Sequence, residues 1–395
     1  MVNILYKIQR RLKRYLYLLI SIILSKVIRT KRKRVIIWSV LGKNYGCNPK
    51  YISEYINDHP ELGYDVYWAF SEGCKPDDFQ GRYTFIGSIK YLWVLNTAEF
   101  LITNHRTQPK LMYWYKKTDQ KYIMTWHGSM PLKKIEKDAL DTLSDNYQEI
   151  ASLDSKLCDL MISDSKWYTS LIKSSFWYKG EILECSMPRN DIFLNELKIK
   201  RAKDKIHQTY SIPKNAKIIL YAPTFRQNKN TENYISNWNP VVEALSNMYK
   251  CDFYVLIRLH PWLKGLVSYV KTEEKNIIDV TTYDDMQELL AVSDVLITDF
   301  SSTMFEFALQ KKPCFLAAKD IYNYERGTYF EIKSLPFICS CNEDELCRSI
   351  TSIEMENYID RQYDFMNKAF SPVITPIGTK KIVEWMDLNS IENSL

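Results

Sequence analysis

The sequence lacks most of the signatures that would settle a function early. It has no G-x-S-x-G, no H-E-x-x-H, no C-x-x-C, and no G-x-G-x-x-G after a strand-like run. Nucleophile-elbow hydrolases, zinc proteases, dithiol oxidoreductases and ordinary dinucleotide-binding enzymes are therefore unsupported. The glycines of a P-loop are absent too, which argues against a Walker-type ATPase. No internal repeat or low-complexity tract is present, and no carboxylate pair has convincing metal-ligand spacing. Asp284-Asp285 reads as a surface turn capping the helix that follows. The nine cysteines are odd in number and irregularly spaced, so a disulfide framework is not expected and a reducing compartment fits better. Cys339, Cys341 and Cys347 form the only cluster, but no histidine lies nearby and the pair-plus-pair spacing of structural zinc is missing. Neither a metal nor a cofactor is expected.

Acidic residues are absent from the first 34 positions, which hold eleven Lys/Arg. The formal charge of the whole chain is +6, so the rest carries −5. Within this basic segment, residues 15–25 (YLYLLISIILS) are apolar, yet too few to span ~30 Å of hydrocarbon, which needs about 20 residues. The apolar core also runs into Lys26 and a basic cluster instead of a small-residue cleavage site. Residues 1–34 are thus expected to be an amphipathic segment on an anionic membrane surface. The alternative is a helix packed on the protein's own body with solvated charges. A nucleic-acid partner is not expected, because nucleic-acid arms rarely carry so apolar a stretch.

Short apolar, β-branched runs then alternate with helical stretches. Strands are expected at 35–42, 64–70, 98–104, 121–126 and 158–164, with helices near 49–58 and 165–176. After a Lys-rich stretch the pattern restarts, with strands at 217–223, 252–261, 276–280, 294–300 and 313–318 and helices over 343–370 and 376–388. This predicts an α/β protein: residues 35–195 and 196–370 as two Rossmann-like domains facing across a cleft, and 371–395 as a C-terminal helix.

In open α/β sheets ligands bind beyond the carboxyl ends of strands. His127 and Gly128 follow one strand, Thr224 and Arg226 another, Arg258 and His260 end a third, and Asp299, Ser301 and Ser302 follow a fourth. A helix is expected to open in TMFEFALQKK, so Ser301, Ser302 and Thr303 read equally as a phosphate-binding helix start or as a plain N-cap. His127 and His260 are two of only five histidines, and each reads either as structural or as a general base near neutral pH.

The ordered set GKNYGCNPKYISEYI (42–56), TNHR (103–106), TWHGSMPLKKI (125–135), SDSKWYTSLIKSSF (163–176), MPRND (187–191), ILYAPTFR (219–226), RLHPW (258–262) and YDDMQELLAVSDVLITDFSSTMFEFA (283–308) resembles the CDP-glycerol glycerophosphotransferase family. The resemblance implies a GT-B-like fold with the nucleotide held mainly by the C-terminal domain. It implies CDP-glycerol or CDP-ribitol as donor, a polyprenyl-diphosphate-linked saccharide as acceptor, release of CMP, and work at the cytoplasmic face of the membrane. By motif, His127 is the general base and His260 the second catalytic histidine. Trp126, Gly128, Ser129, Met130, Arg189, Pro223, Thr224, Arg258, Leu259, Ser301, Ser302 and Glu306 fall on donor-binding positions. Two departures stand out: the family's HGTP is one residue longer here (His127–Pro131), and Glu306 stands where Asp is common. The runner-up reading is a GT-B sugar-nucleotide glycosyltransferase of surface polysaccharide synthesis, and a third is a membrane-bound scaffold.

Overall fold

A computed structural model describes residues 2–107, 114–224, 226, 234–259, 274–321 and 327–391. By contacts the chain divides into two units: residues 1–129, 136–191 and 373–395 form the first, and 130–135 with 192–372 the second. The division reassigns two segments. The strip 130–135, expected within the N-terminal domain, packs with the second unit, and the C-terminal helix Gly378–Leu388 packs with the first.

The first unit is built on a seven-stranded sheet in the order β3-β2-β1-β4-β5-β6-β7. Its strands are β1 (Lys31–Trp38), β2 (Asp65–Phe70), β3 (Tyr83–Phe85), β4 (Ala98–Thr103), β5 (Lys121–Met124), β6 (Leu160–Ser163) and β7 (Glu181–Glu184). Every pairing is parallel. The central strands carry apolar runs, and Val35–Trp38 and Phe100–Ile102 are fully buried, as in a parallel sheet covered on both faces. The short edge strands β3 and β7 carry no strong apolar run, so the sequence pattern passed over them.

The second unit repeats the design with six parallel strands, ordered β10-β9-β8-β11-β12-β13. These are β8 (Lys217–Tyr221), β9 (Phe253–Ile257), β10 (Ile277–Asp279), β11 (Val295–Thr298), β12 (Cys314–Ala317) and β13 (Cys339–Ser340). In each sheet the strand order reverses once, between β1 and β4 and between β8 and β11.

Two expectations about the amino-terminal region change. The run 35–42 is not one strand. Its strand ends at Trp38, and Val40–Gly42 forms a 3-10 turn in which Val40, Leu41 and Gly42 all have positive φ. A Cβ on Gly42 would meet Ser71 N at 2.7 Å and Ala69 O at 2.9 Å, so only glycine fits. The basic cluster 31–34 is also no membrane segment but the start of β1. Arg34 is 5% exposed and donates through Nε and Nη2 to Asp65 at 3.0 and 2.9 Å. Lys31 reaches the same carboxylate at 3.1 Å, and Lys33 pairs with Asp387 at 2.7 Å. Burial works against the Asp65 carboxylate, but hydrogen bonds from Lys31 and Arg34 hold its pKa below the usual range.

The remaining basic segment is the helix α1 (Val2–Val27). Ser21, fully buried, hydrogen-bonds Asn96 of α3 (Ile89–Thr97). At 100° per residue, Leu12, Tyr15, Leu16, Leu19, Ile23 and Val27 lie on the opposite side, and each is 53–70% exposed. Among the described residues no helix is long and apolar enough to cross a membrane.

Replacing Asp65 with Ala leaves Arg34 buried without its charge partner. It is expected to destabilise the protein by about 3–5 kcal/mol, read as a drop in the urea midpoint. A change within error would show that the cluster is held by packing alone.

Candidate functional site

In the first unit the segments after β1, β4 and β5 meet beside the point where strand order reverses. Asn104, directly after β4, fastens this corner: its side chain accepts from Val40 N at 3.0 Å and donates to Ser39 Oγ at 3.0 Å. Its carbonyl lies 3.0 Å from Nδ1 of His127. A carbonyl can only accept, so Nδ1 carries the proton and Nε2 keeps a lone pair, the tautomer a general base requires. The imidazole stacks on His105 (centroids 4.4 Å apart, planes 24°) and on Trp126 (4.4 Å, 30°). His127 is accessible to solvent, yet the protein mass around it, then the neighbouring His105 and Arg189, disfavour its cation and set its pKa well below the ordinary histidine range. At neutral pH the ring is uncharged.

Trp126 has φ +54°, a left-handed conformation that a bulky residue adopts only under constraint. The constraint is visible. Asn48, fully buried near the start of α2 (Cys47–Asp58), donates from Nδ2 to the carbonyls of Trp126 (3.0 Å) and Thr125 (3.3 Å). Its Oδ1 accepts from Arg189 N at 3.0 Å. One amide side chain thus locks the backbone before His127 to the segment carrying Arg189. Behind Trp126, the Arg106 guanidinium sits 5.6 Å from the indole and is itself held by buried Glu136 and Asp154. Ser129 donates to Asp164 at 2.5 Å. Gly128 lies against Arg189, whose Nη2 would be 3.3 Å from a Cβ there. The structure therefore brings Trp126, His127, Gly128, Ser129 and Arg189 together. It adds Asn48, Asn104 and His105, which the sequence offered only as members of motifs.

In the second unit the reversal point gathers Pro223, Thr224 and Arg226 after β8 with Asp299, Ser301 and Ser302 after β11. Asp299 is fully buried, accepts from Thr224 N at 2.8 Å and pairs with Arg226 at 2.9 Å. Burial raises its pKa, and Arg226 opposes that rise. Arg226 also forks onto Asp320 at 2.7 and 3.0 Å. Its charge is thereby neutralised, so Arg226 is a brace, not a phosphate ligand.

The helix start after Asp299 differs from expectation. The helix is only Thr303–Ala308, and Ser302 makes no cap hydrogen bond. Instead its Oγ accepts from Leu132 N at 3.1 Å, tying the strip 130–135 to this unit. Met130 is buried in the same unit, and Glu306 is buried with Gln287 donating to it at 2.9 Å. Arg258 follows β9 and donates to the Tyr283 carbonyl, and Leu259 N donates to Thr281 at 3.0 Å. Burial lowers the Arg258 pKa, while Asp285 and Asp284 favour its charge. Asp285 caps the helix Met286–Val292 as expected, but it is buried, not on a surface turn. His260 lies outside the described residues.

Known proteins resemble this chain in sequence and fold. The chain is 32% identical over 311 residues to a teichoic acid poly(glycerol phosphate) polymerase of Staphylococcus epidermidis, covering 75% of this chain and 42% of that protein. It is 30% identical over 343 residues to a teichoic acid glycerol-phosphate transferase of Staphylococcus aureus, covering 83% and 86%. A solved structure of the wall teichoic acid polymerase TagF soaked with CDPG superposes with a TM-score of 0.81 at 27% identity, over 98% of both chains. The model of the CDP-glycerol:poly(glycerophosphate) glycerophosphotransferase family matches residues 20–384, and to that family the chain belongs.

Proposed function

We propose that this chain transfers glycerol phosphate, or ribitol phosphate, from its CDP-activated form to a polyprenyl-diphosphate-linked saccharide in the synthesis of teichoic acid or a related surface or capsular polymer. The observation that carries this reading is His127, held neutral with Nδ1 on the Asn104 carbonyl and Nε2 open, beside Arg189. An acceptor hydroxyl attacks the polyol-side phosphorus of the donor. The new P–O bond forms as the bond to CMP breaks, and the hydroxyl proton passes to Nε2 of His127. Negative charge developing on CMP is met by Arg189, Arg258 and His260, with Thr224, Ser301 and the backbone around them positioning the nucleotide. A GT-B-like arrangement of two Rossmann-like domains is part of the proposal: the first unit supplies the base and the second holds CDP. Trp126, Gly128, Ser129 and Met130 line the donor, Pro223 and Leu259 shape the nucleotide end, and Glu306 acts through Gln287 near its polyol end.

The proposal also places the enzyme peripherally on the cytoplasmic face of the membrane, through α1. The exposed stripe Leu12–Val27 is apolar, Lys26 and Arg29 beside it are exposed, and the helix bears no acidic residue. Apolar side chains entering the acyl boundary, with cations at the headgroups, are the physics of an interfacial helix.

Purified protein given CDP-glycerol or CDP-ribitol and a lipid-linked acceptor is expected to release CMP and add one polyol phosphate mass per turnover. Release of CDP with transfer of a sugar from a sugar nucleotide would replace this reading by the glycosyltransferase one. His127→Ala should lower kcat by about 10²–10⁴-fold with the circular-dichroism spectrum retained, and an unaltered rate would remove the base assignment. Because only neutral His127 accepts the proton and its pKa is depressed, the acid limb of kcat/KM should lie well below 6.5, the ordinary histidine value. For the membrane, the triple change Leu16→Glu, Leu19→Glu, Ile23→Glu should cut co-flotation with phosphatidylglycerol vesicles by about tenfold or more. Equal flotation would mean that α1 is not the contact.

A further inference from the structure

His105 occupies the same corner as His127 but has no part in the chemistry above. It is the second residue after β4, and its backbone N donates to Thr103 Oγ1 at 3.3 Å. Its ring lies against that of His127, centroids 4.4 Å apart and planes within 24° of parallel. The ring nitrogen Nδ1 is buried and has no hydrogen-bond partner among the described residues. A buried imidazole whose nitrogen goes unused offers its face, not its edge, to its neighbour. Residues 104 and 105 thus act on His127 in two ways: the Asn104 carbonyl fixes the tautomer and the His105 ring fixes the plane.

We infer that His105 is a positioning residue for His127, a neutral ring face that holds the imidazole in plane for proton transfer. The inference rests on the reading of His127 as general base. When His127 takes the acceptor proton, a positive charge develops on its ring. The Asn104 carbonyl, 3.0 Å from Nδ1, favours that charge, and the rings of His105 and Trp126 stack against the imidazole. A protonated His105 would repel that charge instead. Burial, together with nearby Lys43, keeps His105 neutral, its pKa pushed down to about 4. The charged groups facing the pair are Lys43 and Arg189, both cationic and both opposing a second charge here.

The test compares His105→Ala, His105→Phe and His127→Ala in the full chain, with the CDP-polyol the parent uses and a lipid-linked acceptor. His105→Ala should lower kcat by about 10–100-fold, while KM for the donor stays within about threefold. His105→Phe restores a ring face and should recover most of that loss. Because phenylalanine cannot become a competing cation, the acid limb of kcat/KM in His105→Phe should move to higher pH than in the parent. Folded His105→Ala protein with kcat within about threefold of the parent overturns the inference, as does His105→Phe no better than His105→Ala. If His105→Ala fails to fold, the acid limb of His105→Phe decides, and an unmoved limb overturns the inference. His127→Ala at the parental rate removes the base reading and this inference with it. His127→Ala inactive with His105→Ala at the parental rate removes this inference alone.

Discussion

The candidate site depends on a single buried amide. Asn48 has no exposed surface, and its side chain joins α2 to the end of β5 and to the segment carrying Arg189. A buried amide left without partners costs about 1–3 kcal/mol, so these three segments are fixed together or the region does not form. The left-handed backbone at Trp126 is tolerated because Asn48 grips the carbonyl on its far side. That twist sets the direction in which His127 leaves the sheet. Strain at one residue is thereby exchanged for the aim of the next.

The two units solve a common problem with different chemistry. Each has a parallel sheet whose strand order reverses once, opening a crevice at the carboxyl ends of the strands on either side. In the first unit uncharged groups close that corner, the Asn104 amide and stacked rings, and leave a neutral histidine. In the second the closing element is a buried ion pair, Asp299 with Arg226, braced by Asp320. Thr224 and Asp320 add hydrogen bonds to the two buried charges. Arg226 is therefore spent on structure.

The amino-terminal charges divide in the same spirit. Part of the basic cluster is drawn onto the protein's own carboxylate: Asp65 gathers buried Arg34 and the exposed Lys31 and Arg82. The helix α1 has one side tied down by Ser21 and the other bearing an apolar stripe. Charge counting along a sequence cannot separate these two fates, because both present the same run of Lys and Arg.

Much of this was legible in the sequence. The alternation of apolar runs and helices predicted two parallel α/β units, because buried parallel strands must be apolar on both faces. His127 and Thr224 stood out because strand ends carry function in such sheets, and the ordered motifs, which alone gave Arg189, pointed to the family. Other features were decided only by tertiary structure. The edge strands β3 and β7 have no pattern of their own and exist by pairing with a formed neighbour. The assignment of 130–135 to the second unit follows from Ser302 serving Leu132 in place of a helix cap. Arg226, one of the polar groups after a strand, is neutralised by Asp299 and Asp320, both distant in sequence. His105, one more histidine among five in the chain, became a partner of His127 only when β4 and β5 were laid side by side. Periodicity records what each segment buries, whereas the partner of a polar side chain is fixed by contacts between residues far apart in the chain, and these exist only in the folded state.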